Sequence, residues 1–100
     1  MSETRGGEAV LLLTAWHLRR VREMPRMFWR LRGLERHCRA QPGCLWVHRW
    51  LSRRSLLLSS RWESAAATEA WLASSRFRDF DASARALPGA EARVECHRPA

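Results

Sequence analysis

The chain has 100 residues, of which 46% are hydrophobic and 28% charged, enough for one small core and too few for a second domain. No apolar run approaches the about 20 residues of a membrane span, and no basic signal-peptide start precedes Ala9, so no membrane association and a cytoplasmic location are expected. The net charge of +8 would attract nucleic acid, anionic membranes or acidic ligands, although an arginine-rich solvated surface also explains it.

Residue usage restricts the chemistry that the chain can perform. All 18 basic residues are arginines, and lysine, tyrosine, asparagine and isoleucine are absent, as expected from a GC-rich bacterial genome. Schiff-base lysines and tyrosine general acids are therefore excluded. Cys38, Cys44 and Cys96 are odd in number and lack CxxC spacing, which argues against a disulfide framework and a structural zinc site. They are expected to be small buried residues.

The first half of the chain predicts an arm, a strand and a helix. Residues 1–8 are polar with two adjacent glycines and are predicted to be a flexible N-terminal arm, followed by a single domain over residues 9–98. Residues 9–18 are almost continuously apolar, which is typical of a strand buried on both faces. Apolar residues spaced three and four apart from Met24 to Cys38 predict an amphipathic helix with Pro25 in its first turn. Gly33 costs this helix about 1 kcal/mol relative to alanine.

The second half predicts a hairpin, a divided helix and a last strand. Residues 44–51 and 56–62 flank a polar turn, and alternation in the first of them places Cys44, Trp46, His48 and Trp50 on one face. Ser64 is a predicted N-cap for an alanine-rich helix that extends to about Ser74. A second helical piece follows, and residues 90–97 supply the final strand.

This order, β-α-β-β-α-β, predicts an α+β ferredoxin-like fold: a four-stranded antiparallel sheet with helices on one face. Tryptophan and leucine side chains on the opposite face would be left in water. An apolar patch of that size usually marks an interface. A homodimer with sheet packed against sheet, a dimeric α+β barrel, would bury it.

Four segments resemble a known family: Gln41–Leu45, Leu56–Ser64, Glu69–Leu72 and Ser74–Phe77. With these, the chain resembles the antibiotic biosynthesis monooxygenase superfamily from about Val10 to Val94. The resemblance implies a homodimer with an apolar cleft between helices and sheet that binds a small apolar, aromatic or polyketide-like molecule. The superfamily includes cofactor-free oxygenases, haem-degrading enzymes and proteins of unassigned function, so whether this chain is an enzyme stays open.

The haem-degrading branch of the superfamily uses an asparagine, a tryptophan and a histidine. By that pattern the tryptophan matches Trp71, the histidine position falls on Asp81 and the asparagine position falls near Leu13. The chain has no asparagine, and an aspartate cannot replace imidazole as an axial ligand of comparable strength. The departure argues against haem degradation, so no cofactor is expected.

Two residues are candidates for a catalytic base. His17 follows Leu11, Leu13 and Ala15 on one face of the first strand, and the family pattern implies that this face looks toward the helices. A neutral imidazole there could take a proton from a phenolic substrate, whereas the alternative is a surface histidine. Asp81 could act as a base in an apolar cleft, whereas the alternative is an exposed carboxylate paired with Arg78 or Arg85.

The candidate substrate-binding residues are Leu13, Phe28, Trp71 and Phe77. Trp71 is either an aromatic wall for a flat ligand or a core side chain, and Phe28 is expected at a pocket rim. If the chain is an enzyme, the resemblance implies substrate deprotonation in a dry pocket followed by direct reaction of the carbanion with O₂, without metal or flavin.

Two other functions remain open. RNA-recognition modules share this order of elements and stack bases on sheet aromatics, a role that Trp46, His48 and Trp50 could fill. However, residues 56–62 lack the Gly-Phe-Gly-Phe type of motif, and dimerisation would hide the sheet, so nucleic acid is not the expected partner. The last possibility is a catalytically silent dimer that binds a metabolite.

Overall fold

The computed structural model describes residues 9–99. Its elements are β1 (Val10–His17), a short 3-10 helix (Val21–Glu23), α1 (Met24–Arg39), β2 (Cys44–Leu51), β3 (Ser55–Trp62), α2 (Ala65–Leu72), α3 (Ser75–Arg85) and β4 (Glu91–His97). The predicted order of strands and helices is confirmed, with the second helical region divided into α2 and α3. The predicted N-terminal arm, residues 1–8, lies outside the described residues.

The four strands form one antiparallel sheet in the order β2-β3-β1-β4. In β1 the buried positions are Val10, Leu12, Thr14 and Trp16, which alternate with less buried ones. Because successive side chains of a strand point to opposite faces, this alternation separates a helix-covered face from a face that no described helix covers. We call the second one the open face. The fold class predicted from the sequence, α+β and ferredoxin-like, is confirmed.

Two serine caps divide the second helical region. The Ser64 hydroxyl accepts a hydrogen bond from the Ala67 amide at 3.1 Å, and the Ser74 hydroxyl accepts one from the Phe77 amide at 3.3 Å. Ser74 has an extended backbone (φ −68°, ψ 150°), so α2 cannot continue through it. Each such cap stabilises its helix by about 1 kcal/mol. The second cap fixes the direction of α3, and thereby the position of Phe77 and Phe80 beneath the sheet.

Strand β2 contains a bulge that changes which side chains face the helices. Cys44 pairs with Trp62 and Trp46 pairs with Arg61, so Leu45 is an extra residue between them. A bulge breaks the two-residue alternation. Cys44 therefore packs against the helix-side core, while Trp46, His48 and Trp50 lie on the open face. The prediction that Cys44 shares a face with Trp46 is wrong for this reason.

Gly43, in the turn before β2, is expected to tolerate no side chain. Its φ is +88°, and an added Cβ would lie 2.6 Å from the Cβ of Ala67. Gly43→Ala is therefore expected to lower the free energy of unfolding by roughly 1–3 kcal/mol or more. Gly33→Ala is the matched control, since a Cβ there meets nothing within 4 Å, and it should stabilise by up to about 1 kcal/mol. Urea unfolding of both variants tests these two predictions, and equal changes in the free energy of unfolding would contradict them.

Candidate functional site

Five aromatic side chains meet between the sheet and the helices, and we call them the aromatic cluster: Trp16, Trp62, Trp71, Phe77 and Phe80. Trp62 and Trp71 are stacked with ring centroids 6.0 Å apart and planes inclined at 25°. Trp71 meets Phe77 edge-on at 5.8 Å, and Trp16 meets Phe80 edge-on at 4.7 Å. No cluster side chain is more than 4% exposed. The candidates Trp71 and Phe77 are thus brought together, as parts of the hydrophobic core.

The three indole N–H groups of the cluster differ in their partners. Trp62 donates to the Ser60 hydroxyl at 2.8 Å, and Trp16 donates to the Asp81 carboxylate at 2.9 Å. The Trp71 Nε1 is buried and has no acceptor among residues 9–99. A buried donor without a partner costs about 1–3 kcal/mol and is rare in native proteins. Trp71 therefore offers an unused hydrogen bond to an oxygen or nitrogen acceptor inside the aromatic cluster.

Asp81 lies at the edge of the aromatic cluster. Its Oδ1 accepts from Trp16, and both carboxylate oxygens accept from Arg85 Nε, at 3.0 and 2.9 Å. The Asp81 side chain is 21% exposed, so the carboxylate is neither isolated nor fully buried. The ion pair with Arg85, which the sequence offered as the alternative for this residue, is present. Since the Arg85 side chain is half exposed, this pair contributes little stability and can open.

His17 and Leu13 lie on the open face, so the implied placement of these two residues toward the helices is wrong. Trp16 faces the core, and the alternation of β1 turns its neighbour His17 the other way. The His17 Nδ1 lies 2.9 Å from the hydroxyl of Ser55 on β3, in an exposed position. Asp81 accepts a hydrogen bond from Trp16, whose side chain lies on the helix-covered face. The two candidate bases are therefore on opposite faces of the sheet and cannot serve one site of the same protomer.

Phe28 occupies a third location. It is partly buried on α1 and lines an apolar cavity of about 250 Å³ with Met24, Pro25 and Leu51, beside the β2–β3 turn. The Arg49 guanidinium stands over its ring at 5.5 Å. No member of the aromatic cluster lines this cavity. The four predicted binding residues therefore belong to three separate places, of which only Trp71 and Phe77 share one.

The cysteines differ in burial and in acidity. Cys38 is fully buried, and burial, assisted by the neighbouring Cys44, raises the pKa of its thiol far above the ordinary value. Burial also raises the pKa of Cys44, which is partly covered. Neither thiol is poised as a nucleophile. Cys96 is exposed, so the expectation of burial is wrong for this residue, which lies on the edge strand β4.

Sequence reasoning missed the role of Trp16. Its indole N–H joins β1 to α3 through Asp81, a residue 65 positions away. The one available signal was the presence of a tryptophan within a strand whose other residues are mostly aliphatic.

Among residues 9–99 no helix is both long and apolar enough to cross a membrane. Within the same range no three histidine, cysteine or acidic side chains lie close enough to hold a metal ion.

Comparison with known proteins finds one family model that matches more than half of the chain. A family model described as antibiotic biosynthesis monooxygenase matches residues 30–83, from within α1 to within α3. No curated protein matches the chain in sequence.

Solved structures share the fold at low identity. A Bacteroides thetaiotaomicron protein of unknown function, described as a possible oxidoreductase, is 14% identical over 93% of this chain and 99% of its own, with a TM-score of 0.80. Rv0793 from Mycobacterium tuberculosis is 19% identical over 91% and 95%, with a TM-score of 0.78. SnoaB, a cofactor-independent oxygenase from Streptomyces nogalater, is 18% identical over 93% and 94%, with a TM-score of 0.67. At such identities the likeness shows the fold alone.

Proposed function

Because the chain belongs to the antibiotic biosynthesis monooxygenase family, we propose that it is a homodimeric, cofactor-independent oxygenase of small aromatic or polyketide-like molecules, with its substrate site at the aromatic cluster. The observation that carries the proposal is the buried Trp71 N–H without an acceptor among the described residues. SnoaB, which shares the fold, is a cofactor-independent oxygenase, and this supports the reaction class. The family and the fold are the premises, and the dimer, the ligand and the oxygen chemistry are the proposal.

A dimer is supported by the composition of the open face. Its centre is formed by side chains of β1 and β3 that are half-buried within one protomer: Leu11, Leu13, Ala15 and Leu57. On β2, Trp46 and Trp50 add large apolar surfaces that are 38% and 56% exposed. Strand β4 completes the face with the charged or titratable row Glu91, Arg93, Glu95 and His97. A second copy would cover the apolar centre and leave the charged strand near the rim, as in other protein interfaces.

Substrate recognition is assigned to Trp71. Its N–H would donate to a phenol, keto or quinone oxygen, and the neighbouring rings of Trp62 and Phe77 would contact the faces and edges of a flat substrate. The cluster is filled by its own side chains, so binding requires at least one ring to move. Phe77 is the ring best placed to do so, since it lies in the first turn of α3, directly after the break between α2 and α3.

The proposed reaction begins with proton abstraction by Asp81. A CH₂ group joined to a ketone through aromatic rings, as in an anthrone, loses a proton to the carboxylate as the exposed Arg85 releases it, and the Trp71 N–H stabilises the resulting enolate oxygen. The carbanion transfers an electron to O₂, and the two radicals combine to a peroxide at carbon. Loss of water from the peroxide leaves a new C=O, so the substrate gains one oxygen atom and loses two hydrogens, while the second oxygen atom leaves as water.

Oxygen-dependent turnover tests this proposal. Aerobic incubation of the chelator-treated protein with a panel of substituted anthrones should consume one O₂ per substrate oxidised. Anaerobic incubation should abolish conversion. Asp81→Asn should lower turnover at least ten-fold, whereas His17→Gln, on the opposite face, should leave it unchanged. Conversion that continues without oxygen, or that depends on His17 and not on Asp81, would contradict the proposal.

A catalytically silent dimer is the second candidate function. The filled state of the aromatic cluster favours it, because the five side chains pack closely against one another. Calorimetry separates the two candidates. Binding of panel members without oxygen consumption supports the silent metabolite-binding dimer, and binding with oxygen consumption supports the oxygenase.

A further inference from the structure

We propose that the groove between α1 and α3 is a second binding site, which takes a small aromatic molecule carrying a carboxylate or phosphate group. The groove has a volume of about 300 Å³ and lies on the outer side of the helices, with Arg30, Gly33 and His37 from α1 and Arg76 and Asp79 from α3 at its walls. It shares Phe80 with the aromatic cluster but lies on the outer side of that ring, and the proposal is independent of the oxygenase activity.

The charge of the groove favours an anion. Arg30 and Arg76 approach it from different helices, and within residues 9–99 neither forms an ion pair with a carboxylate. Asp79 is the one acidic side chain among the lining residues. Guanidinium groups present parallel N–H donors that match a carboxylate or phosphate. Two arginines against one aspartate leave a net positive groove that an anionic group can neutralise.

Arg30 is held in position across the groove. Its guanidinium donates to the hydroxyl of Ser83 on α3 at 3.0 Å. This contact uses one of the five N–H donors of an arginine and leaves the others free to face a ligand. A side chain fixed in this way loses less conformational entropy on binding than a free one. Arg30 is therefore the better organised of the two cationic groups.

Gly33 keeps the wall of the groove open. Arg30, Gly33 and His37 are three and four residues apart and so share one face of α1. An added Cβ at Gly33 would meet nothing within 4 Å, and the backbone there does not require glycine. The residue nevertheless lowers helix stability by about 1 kcal/mol relative to alanine. Packing gives no reason for a glycine at this position, whereas a side chain there would enter the space between Arg30 and His37.

The floor of the groove determines the rest of the ligand. Leu34 and Phe80 line it, and both are almost fully buried. Phe80 is edge-on to Trp16 on its inner side, so its ring is fixed from below. An apolar floor beneath two cationic groups fits a molecule with an aromatic body and one anionic group. A free inorganic anion would fill only a small part of a groove of about 300 Å³.

Titration calorimetry at low ionic strength tests the site with four probes: benzoate, phenyl phosphate, the neutral benzamide and inorganic phosphate. Benzoate or phenyl phosphate should bind at least ten-fold more tightly than benzamide, and inorganic phosphate should bind more weakly than phenyl phosphate. The preferred anion of the two identifies the ligand class. Absence of heat from both aromatic anions at millimolar concentration, or equal binding of benzamide, would overturn the proposal.

Five variants locate the binding. Arg30→Gln and Arg76→Gln should each weaken the binding about ten-fold. Arg53→Gln removes the same charge within the β2–β3 turn and should leave the binding unchanged. Gly33→Leu should abolish binding without loss of stability, because leucine is a good helix former. Equal weakening by Arg53→Gln would mean general charge attraction, and unaltered binding by Gly33→Leu would place the ligand elsewhere. Trp71→Phe should leave this binding intact, which separates the groove from the proposed substrate site.

Discussion

Truncation of Trp71 to alanine is expected to lower the free energy of unfolding by about 3–5 kcal/mol, because it leaves a large cavity in a close-packed core. Trp71 is 1% exposed and contacts Trp62 and Phe77 directly. Small domains have only about 5–15 kcal/mol of total stability. The variant should therefore unfold at much lower urea concentration, and an unfolding midpoint close to that of the wild type would contradict the core placement.

Replacement by phenylalanine separates the packing of Trp71 from its N–H. Trp71→Phe removes a donor that has no described partner, whereas Trp62→Phe breaks the hydrogen bond to Ser60 and leaves that buried hydroxyl without its donor. Both changes shrink the ring equally. Trp62→Phe should therefore be more destabilising by about 1–3 kcal/mol. In the ligand assays the order should reverse, with Trp71→Phe losing substrate affinity at least ten-fold.

These two phenylalanine variants test whether the Trp71 N–H lacks a hydrogen-bond partner in solution. If the two phenylalanine variants are equally destabilised, the Trp71 N–H has a partner in solution, and the argument for a ligand acceptor at that atom fails. If Trp71→Phe is well folded and binds panel ligands as the wild type does, the substrate site is not at Trp71. Urea unfolding and calorimetry on the same preparations provide both measurements.

The fold was predictable because its signals are local. A proline-glycine turn, the N-cap Ser64 and the three-and-four spacing of α1 each act within a few residues, and each predicted its element correctly. The orientation of β1 was not predictable in this way. Its sequence is apolar at nearly every position from Ala9 to Leu18, so alternation, which distinguishes the two faces of a strand, is missing. The family pattern then supplied the wrong face for Leu13 and His17.

Contacts between residues far apart in the sequence explain the other features that the sequence did not predict. The bulge at Leu45 depends on how β2 aligns with β3, and no residue of β2 alone indicates it. The hydrogen bond from Trp16 to Asp81 spans 65 positions. Because of it, Asp81, a candidate base, also fixes the position of the buried Trp16 indole. Gly33 was visible only as a defect of a helix. The role proposed for it depends on α3, which faces it across a charged groove.

The largest expected change in assembly is dissociation of the proposed dimer by Leu13→Arg. Leu13 lies in the row His48, Ser59, Leu13 and Glu95 across all four strands, at the centre of the open face. An arginine there would place an unpaired charge inside a sheet-to-sheet interface, which costs several kcal/mol. Light scattering at micromolar concentration should show the mass of two chains for the wild type and of one chain for the variant.

Val94→Arg is the matched control, because it introduces the same side chain at an exposed apolar position of β4, opposite Thr14 on the helix-covered side. It should leave the dimer intact. If both variants stay dimeric, the interface does not use the open face. If the wild type is a monomer that binds single-stranded RNA in a salt-dependent manner, Trp46 and Trp50 are a stacking surface for bases, and the RNA-binding alternative replaces the dimer.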